Sequence, residues 1–212
     1  CARVTLADFQ KLIKNKIPSM YNFLNIFASL QIKNMGTLVG NLANASPIAD
    51  MVPVLMALDA DITIYGKNGK RTKPLKDFYI GYKKLDLQKD EIIIQASFEI
   101  PQAHHKIENY KVSQRRDLDI STINASFNFS LNGKKIETAR IAFGGVAATT
   151  LRLTEVENQI QGLELNMLTL EKIKKLIADA IKPLSDVRGT AEYRKLLAAN
   201  LFEKYAREQL GI

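Results

Sequence analysis

Two asparagine–glycine pairs constrain this chain more than any other feature. Asn68-Gly69 follows the alternating Ile62 and Ile64, and Asn132-Gly133 follows Phe127, Phe129 and Leu131. Asn-Gly supplies the backbone angles of a tight hairpin, so each pair predicts two antiparallel strands. Residues 92–100 are dominated by β-formers and end at Pro101; 110–112 start another strand, and 136–143 run to Gly144-Gly145. Helical spacing lies elsewhere. It covers residues 6–32, interrupted at Pro18, and an apolar 51–58. It returns as Leu170, Ile173, Leu176, Ile177 and Ile181, closed by Pro183. Behind Thr190, a cap residue, Tyr193, Leu196, Leu197, Leu201 and Tyr205 form a last apolar stripe. Hairpin-linked strands with helices grouped at the ends predict an α+β fold with antiparallel sheets. No G-x-G-x-x-G occurs, so a dinucleotide-type βαβ unit is not expected. The polar link 102–106 places a boundary between a domain at 1–103 and one at 104–212.

Composition narrows the function. The single cysteine, Cys1, is too few for a disulfide framework or an iron–sulfur site, and is read as incidental. His104 and His105 have no ligand-like neighbours and read as linker residues, with no metal. The net charge of +8 is spread over hairpins and helices without interleaved aromatics, which argues against nucleic acid and suits an anionic cofactor or acidic partner. With no membrane-length apolar run and no signal peptide, the expected location is cytoplasmic, with no membrane partner.

Residues 34–50 differ from the rest: small and polar, with Gly36 and Gly40, then Pro47. Glycines admit a ligand close to the backbone, and successive N–H groups attract phosphate. Thr37, Asn41, Asn44 and Ser46 add short hydrogen-bonding side chains. Asp50 can accept from ribose hydroxyls or orient the loop. The same residues also describe a plain turn between helices, with Ser46 capping a helix that starts at Pro47. Chemistry alone leaves both readings open.

The segment from Gln31-Ile32-Lys33-Asn34 through Gly36-Thr37, Gly40-Asn41, Asn44-Ala45-Ser46-Pro47-Ile48 to Asp50 resembles the second FAD-contacting segment of the molybdenum hydroxylases, which include xanthine dehydrogenase, carbon monoxide dehydrogenase and aldehyde oxidase. Further anchors follow in order. They are Gly81-Tyr82-Lys83-Lys84; Tyr110-Lys111 with Arg115-Arg116-Asp117-Leu118-Asp119-Ile120; Gly144-Gly145-Val146; and Asp186-Val187-Arg188-Gly189 with Tyr193-Arg194. The resemblance runs from about Val4 to the end.

The resemblance implies the C-terminal part of a molybdopterin dehydrogenase FAD-binding domain (1–103). A carbon monoxide dehydrogenase flavoprotein-like C-terminal domain of antiparallel sheet and helices (104–212) follows. The family's first subdomain, with its Gly-Gly-Thr-Asp-type loop, has no counterpart in the sequence, so the resemblance implies a fragment. It further implies a xanthine dehydrogenase-type electron relay, from iron–sulfur clusters through FAD to NAD during purine hydroxylation. The clusters and the molybdopterin would sit on an iron–sulfur domain and a molybdenum-binding large subunit, in an oligomer of heterodimers. The alternatives are a non-enzymatic interaction domain and the FAD subunit of a carbon monoxide or aldehyde dehydrogenase. By the family's pattern Phe27, Thr37, Gly40, Asn41, Asn44, Ser46, Asp50, Ile93 and Lys111 face the cofactor, and residues 115–119 form a charged loop beside it. Phe27 and Ile93 also suit ordinary core positions, and Lys111 a solvent-facing strand. Val39 stands where the family has a second glycine, which weakens the reading if that position needs positive φ.

Overall fold

A computed structural model describes residues 2–212; Cys1 lies outside the described residues. Three helices open the chain: α1 (Leu6–Ile13), α2 (Pro18–Phe27) and α3 (Leu30–Met35). Each break has a local cause. Pro18 takes the first turn of α2, where its missing N–H costs nothing. Ser29 starts α3 by accepting the Ile32 amide, and Thr5 caps α1 through Asp8. Two more helices follow, α4 (Leu38–Ala43) and α5 (Met51–Ala57). All seven residues of α5 are buried.

The first sheet has the order β2-β1-β5, with β1 at Asp61–Gly66, β2 at Gly69–Pro74 and β5 at Ile92–Ser97. Its hairpin turns at Lys67 and Asn68; Gly69 is already paired with Gly66 and carries the positive φ of +97°. A single 3₁₀ turn, Leu75–Asp77, leads to the small pair β3 (Tyr79–Gly81) and β4 (Lys84–Leu85). The second sheet is β6-β7-β8-β9, antiparallel throughout: β6 Lys106–Val112, β7 Ile123–Asn132, β8 Lys135–Gly144 and β9 Leu151–Arg152. Helices α6 (Thr154–Ile160), α7 (Met167–Ala180) and α8 (Ala191–Tyr205) cover one face, and a π-helical turn, Ala206–Leu210, ends the last of them. The architecture is α+β with antiparallel sheets, as the hairpin signals predict.

Two apolar cores result. One gathers α1, α2, α4, α5 and the first sheet, including Ile62, Ile64, Leu75 and Phe78. The other gathers the second sheet with α6 to α8, centred on Phe127, Phe129, Phe143, Phe202 and Tyr205. The Tyr205 ring stacks on Phe127 at 4.9 Å between centroids, and its hydroxyl donates to the Lys106 carbonyl at 2.6 Å.

The structure corrects two sequence expectations. In residues 34–50 the helix precedes Pro47: Thr37 caps α4, while Ser46 to Ala49 make a turn closed by the Ala49 amide on the Ser46 carbonyl. Ser46 therefore caps no helix. The buried stripe of α8 is Arg194, Ala198, Leu201, Phe202 and Tyr205; Tyr193 and Leu196 are exposed. Arg194 turns inward because its guanidinium donates to the Gly145 carbonyl and to Asp186. Strand β7 is buried on both faces.

Candidate functional site

The nucleotide candidate is the turn that opens α4. Thr37 Oγ1 accepts the Gly40 amide at 2.9 Å, which fixes the first turn. Helix geometry leaves first-turn amides without intrahelical acceptors, here at Leu38 and Val39. Gly40 is exposed, and a Cβ there would stand 3.0 Å from Thr37 Oγ1, so glycine keeps this backbone bare. Asn41 Oδ1 is buried without a hydrogen-bond partner. Asn44 is exposed at the far end of α4, and Ala45 follows with φ of +51°. Ser46 Oγ receives only a long contact, 3.4 Å, from the Ile48 amide.

Val39 presents no conflict. It is an ordinary helical residue with a buried side chain, and it lines an apolar cavity with Phe9, Ile13, Ile17, Leu38 and Phe98. The position needs no positive φ.

Asp50 and Lys111 are brought together, from opposite halves of the chain. The Lys111 ammonium donates to Asp50 Oδ2 at 2.5 Å, and the two side chains are 2% and 9% exposed. Asp50 Oδ1 accepts from Ser121 Oγ at 2.5 Å and Asn124 Nδ2 at 2.8 Å. Next to it, the Pro47 carbonyl accepts the Gly145 amide at 2.9 Å and Thr150 Oγ1 at 3.5 Å. Lys111 is thus no solvent-facing lysine.

Ile93 is buried in the first core, on the strand against which α4 packs. Phe27 ends α2, half-buried against the same core. The 115–119 loop folds on itself. Asp119 accepts the Arg115 amide at 2.8 Å, and Arg115 donates to the Leu118 carbonyl at 3.0 Å. The Arg115 amide, against a smaller desolvation, holds the Asp119 carboxyl below its ordinary range. Ser121, Asn124 and Thr150 were not singled out from sequence as site residues. Their one trace is that Asn124, Ser126, Asn128 and Ser130 give β7 a polar face without a single charge.

A flavin nucleotide can be tested against this geometry. The bare backbone at Gly40 fits its diphosphate end, and the unpartnered Asn41 Oδ1, an acceptor, fits a sugar hydroxyl or a ring N–H. The charges of Asp50 and Lys111 are already engaged with each other. Among the described residues, no group of three or more His, Cys, Asp or Glu is placed to hold a metal ion, and no helix is long and apolar enough to cross a membrane.

Comparison with known proteins agrees with the sequence resemblance. Residues 1–103 match the model of the FAD binding domain in molybdopterin dehydrogenase, and residues 108–209 that of the CO dehydrogenase flavoprotein C-terminal domain. The chain belongs to the FAD-binding subunits and domains of the molybdenum hydroxylases. It is 32% identical to the glyceraldehyde dehydrogenase medium chain of Sulfolobus acidocaldarius over 93% of its own length and 69% of that protein. It is 30% identical to the xanthine dehydrogenase FAD-binding subunit of Escherichia coli O157:H7, over 96% of its length and 72% of that subunit. The crystal structure of a cyanide-inactivated Cu,Mo-CO dehydrogenase superimposes with a TM-score of 0.90 at 28% identity, covering 98% of this chain and 73% of that one.

Proposed function

We propose that this chain supplies part of the FAD pocket of a xanthine dehydrogenase-type molybdenum hydroxylase. Its working partners would be a molybdenum-binding large subunit and an iron–sulfur domain or subunit. In this reading Thr37, Gly40, Asn41, Asn44 and Ser46 hold the nucleotide, with Phe27 and Ile93 as its apolar neighbours. Bound FAD supplies the electron relay between iron–sulfur clusters and NAD. The protein's own residues bind and orient it. Thr37 sets the pitch of the first turn, Gly40 keeps the backbone approachable, and Asn41 offers a carbonyl to a donor on the ligand. The observation that carries the reading is that buried Asn41 carbonyl, beside bare backbone, in a chain of this family.

Titration with FAD, followed by quenching of flavin fluorescence, tests it. Saturable binding is expected, weakened roughly tenfold in Asn41→Leu, the cost of about one lost hydrogen bond. A chain that gains no flavin signal, alone or with its partner subunits, would instead be a non-enzymatic interaction domain. Similarity to the glyceraldehyde dehydrogenase medium chain, at 32% identity, favours a second reading in which the substrate is an aldehyde. Assaying the assembled complex with xanthine and with glyceraldehyde separates the two.

A further inference from the structure

We infer that Lys33 is a positioning residue: its buried ammonium sets the spacing between Phe27 and Thr37, the two ends of the proposed cofactor site. The inference rests on the FAD reading above and concerns how the same site is held.

Lys33 stands on α3 and is only 7% exposed. Lysines that deep are rare unless paired with a charge, yet both acceptors here are neutral. Lys33 Nζ donates to the Leu24 carbonyl at 2.9 Å and to Gln10 Oε1 at 3.0 Å. Burial holds the ammonium below the ordinary lysine range. The Leu24 carbonyl belongs to the last turn of α2, where helix geometry supplies no amide, because Ala28 is already extended at φ of −156°. A cation at that end also suits the helix dipole. Phe27 closes the same turn. Only two extended residues, Ala28 and Ser29, separate α2 from α3, so the angle between these helices depends on what ties them from the side. Helix α1, packed on both, supplies the tie. At its start the Leu6 amide donates to the Gly36 carbonyl at 2.8 Å, and Thr5 pairs with Thr37 in an antiparallel bridge. One turn on, Gln10 accepts from Lys33 and donates through Nε2 to Asn25 Oδ1 at 2.7 Å. Helix α1 is thus a splint. One end seats Thr37, and its middle, through Gln10 and Lys33, seats the end of α2 that carries Phe27.

A ligand that engages two anchors at once gains affinity only where their spacing matches it, whereas either half alone is indifferent to that spacing. FAD spans both anchors; ADP and FMN each carry one half of it. Wild type and Lys33→Met, which removes the ammonium and leaves no buried charge, are therefore titrated with FAD, ADP and FMN. Amide hydrogen exchange is followed over residues 24–37. Lys33→Met is expected to weaken FAD roughly tenfold, to leave ADP and FMN each within about twofold of wild type, and to speed exchange in that segment. ADP or FMN falling as far as FAD means that Lys33 acts on one end of the site, by contact or by local structure, and overturns the inference. Unchanged FAD affinity overturns it as well. If wild type binds none of the three, the functional reading fails while the exchange data still decide the tie: faster exchange upholds it and unchanged exchange refutes it. If Lys33→Met does not fold, Gln10→Leu removes one acceptor and the link to Asn25 on a half-buried surface. The same split is expected there, with FAD weakened about threefold and the halves unmoved.

Discussion

The Arg152 guanidinium serves acceptors on both halves of the molecule: Glu157, the Asp59 carboxylate at 2.7 Å and the Met56 carbonyl at 2.6 Å. Arg152→Met would strand Glu157, which is equally buried and would keep only the Ile141 amide. Loss of one partner from such a pair costs about 3–5 kcal/mol, to be read from the urea midpoint. Burial pushes the Asp59 carboxyl up, but hydrogen bonds from Arg140 and Arg152 outweigh it and hold the group below its ordinary range. A carboxylate depressed in the folded state stabilises at neutral pH and stops doing so as pH falls through its folded value. Wild type should therefore lose stability below about pH 4, and more steeply than Arg152→Met, in urea titrations across that range. The sequence marked Asp50 and Lys111 through the family pattern, but not as partners. Contacts spanning 61 to 74 residues leave no periodic trace, so Ser121 and Asn124 stayed hidden.

At the level of elements, strands were legible wherever a turn residue enforced them, as at Gly69 and Gly133. Helix α4 was masked by its own small residues. It starts at the Thr37 cap and stops before Ala45, whose φ of +51° cannot continue a helix. Strand β7 carries a polar face of Asn124, Ser126, Asn128 and Ser130 that lies buried along the seam with the first half. Alternation reports polarity, and polarity equals exposure only when nothing packs on it. The β3–β4 turn offers an element-scale prediction. Exposed Lys83 sits at φ of +50°, a region that favours glycine. Lys83→Gly should be neutral or stabilising by up to about 1 kcal/mol, because relieved strain offsets the added freedom of the unfolded chain. A lower urea midpoint would show that the lysine side chain contributes something the backbone does not reveal.

For the molecule as a whole, the seam decides whether two cores behave as one body. It is knit by Asp50, Pro47, Met56, Ala57 and Asp59 on one side and by donors of the second sheet on the other. Far-UV dichroism and tyrosine emission, the latter uncomplicated because the chain has no tryptophan, should report one coincident urea transition. Asn124→Ala combined with Asn128→Ala should separate the two curves, since both substitutions remove ties across the seam and little from either core. Coincident curves in that double variant would mean that apolar contacts alone couple the halves.

Helix α5 has two turns and spans about 10 Å. A rod that short does not bend, so its two fastenings cannot settle independently. An error of seating at the Arg152 end must reappear as a displacement at the Asp50 end. Substitutions at Arg140 or Asp59, neither of which belongs to the turn itself, would then show up as proteins that fold and yet lose their yellow colour during purification.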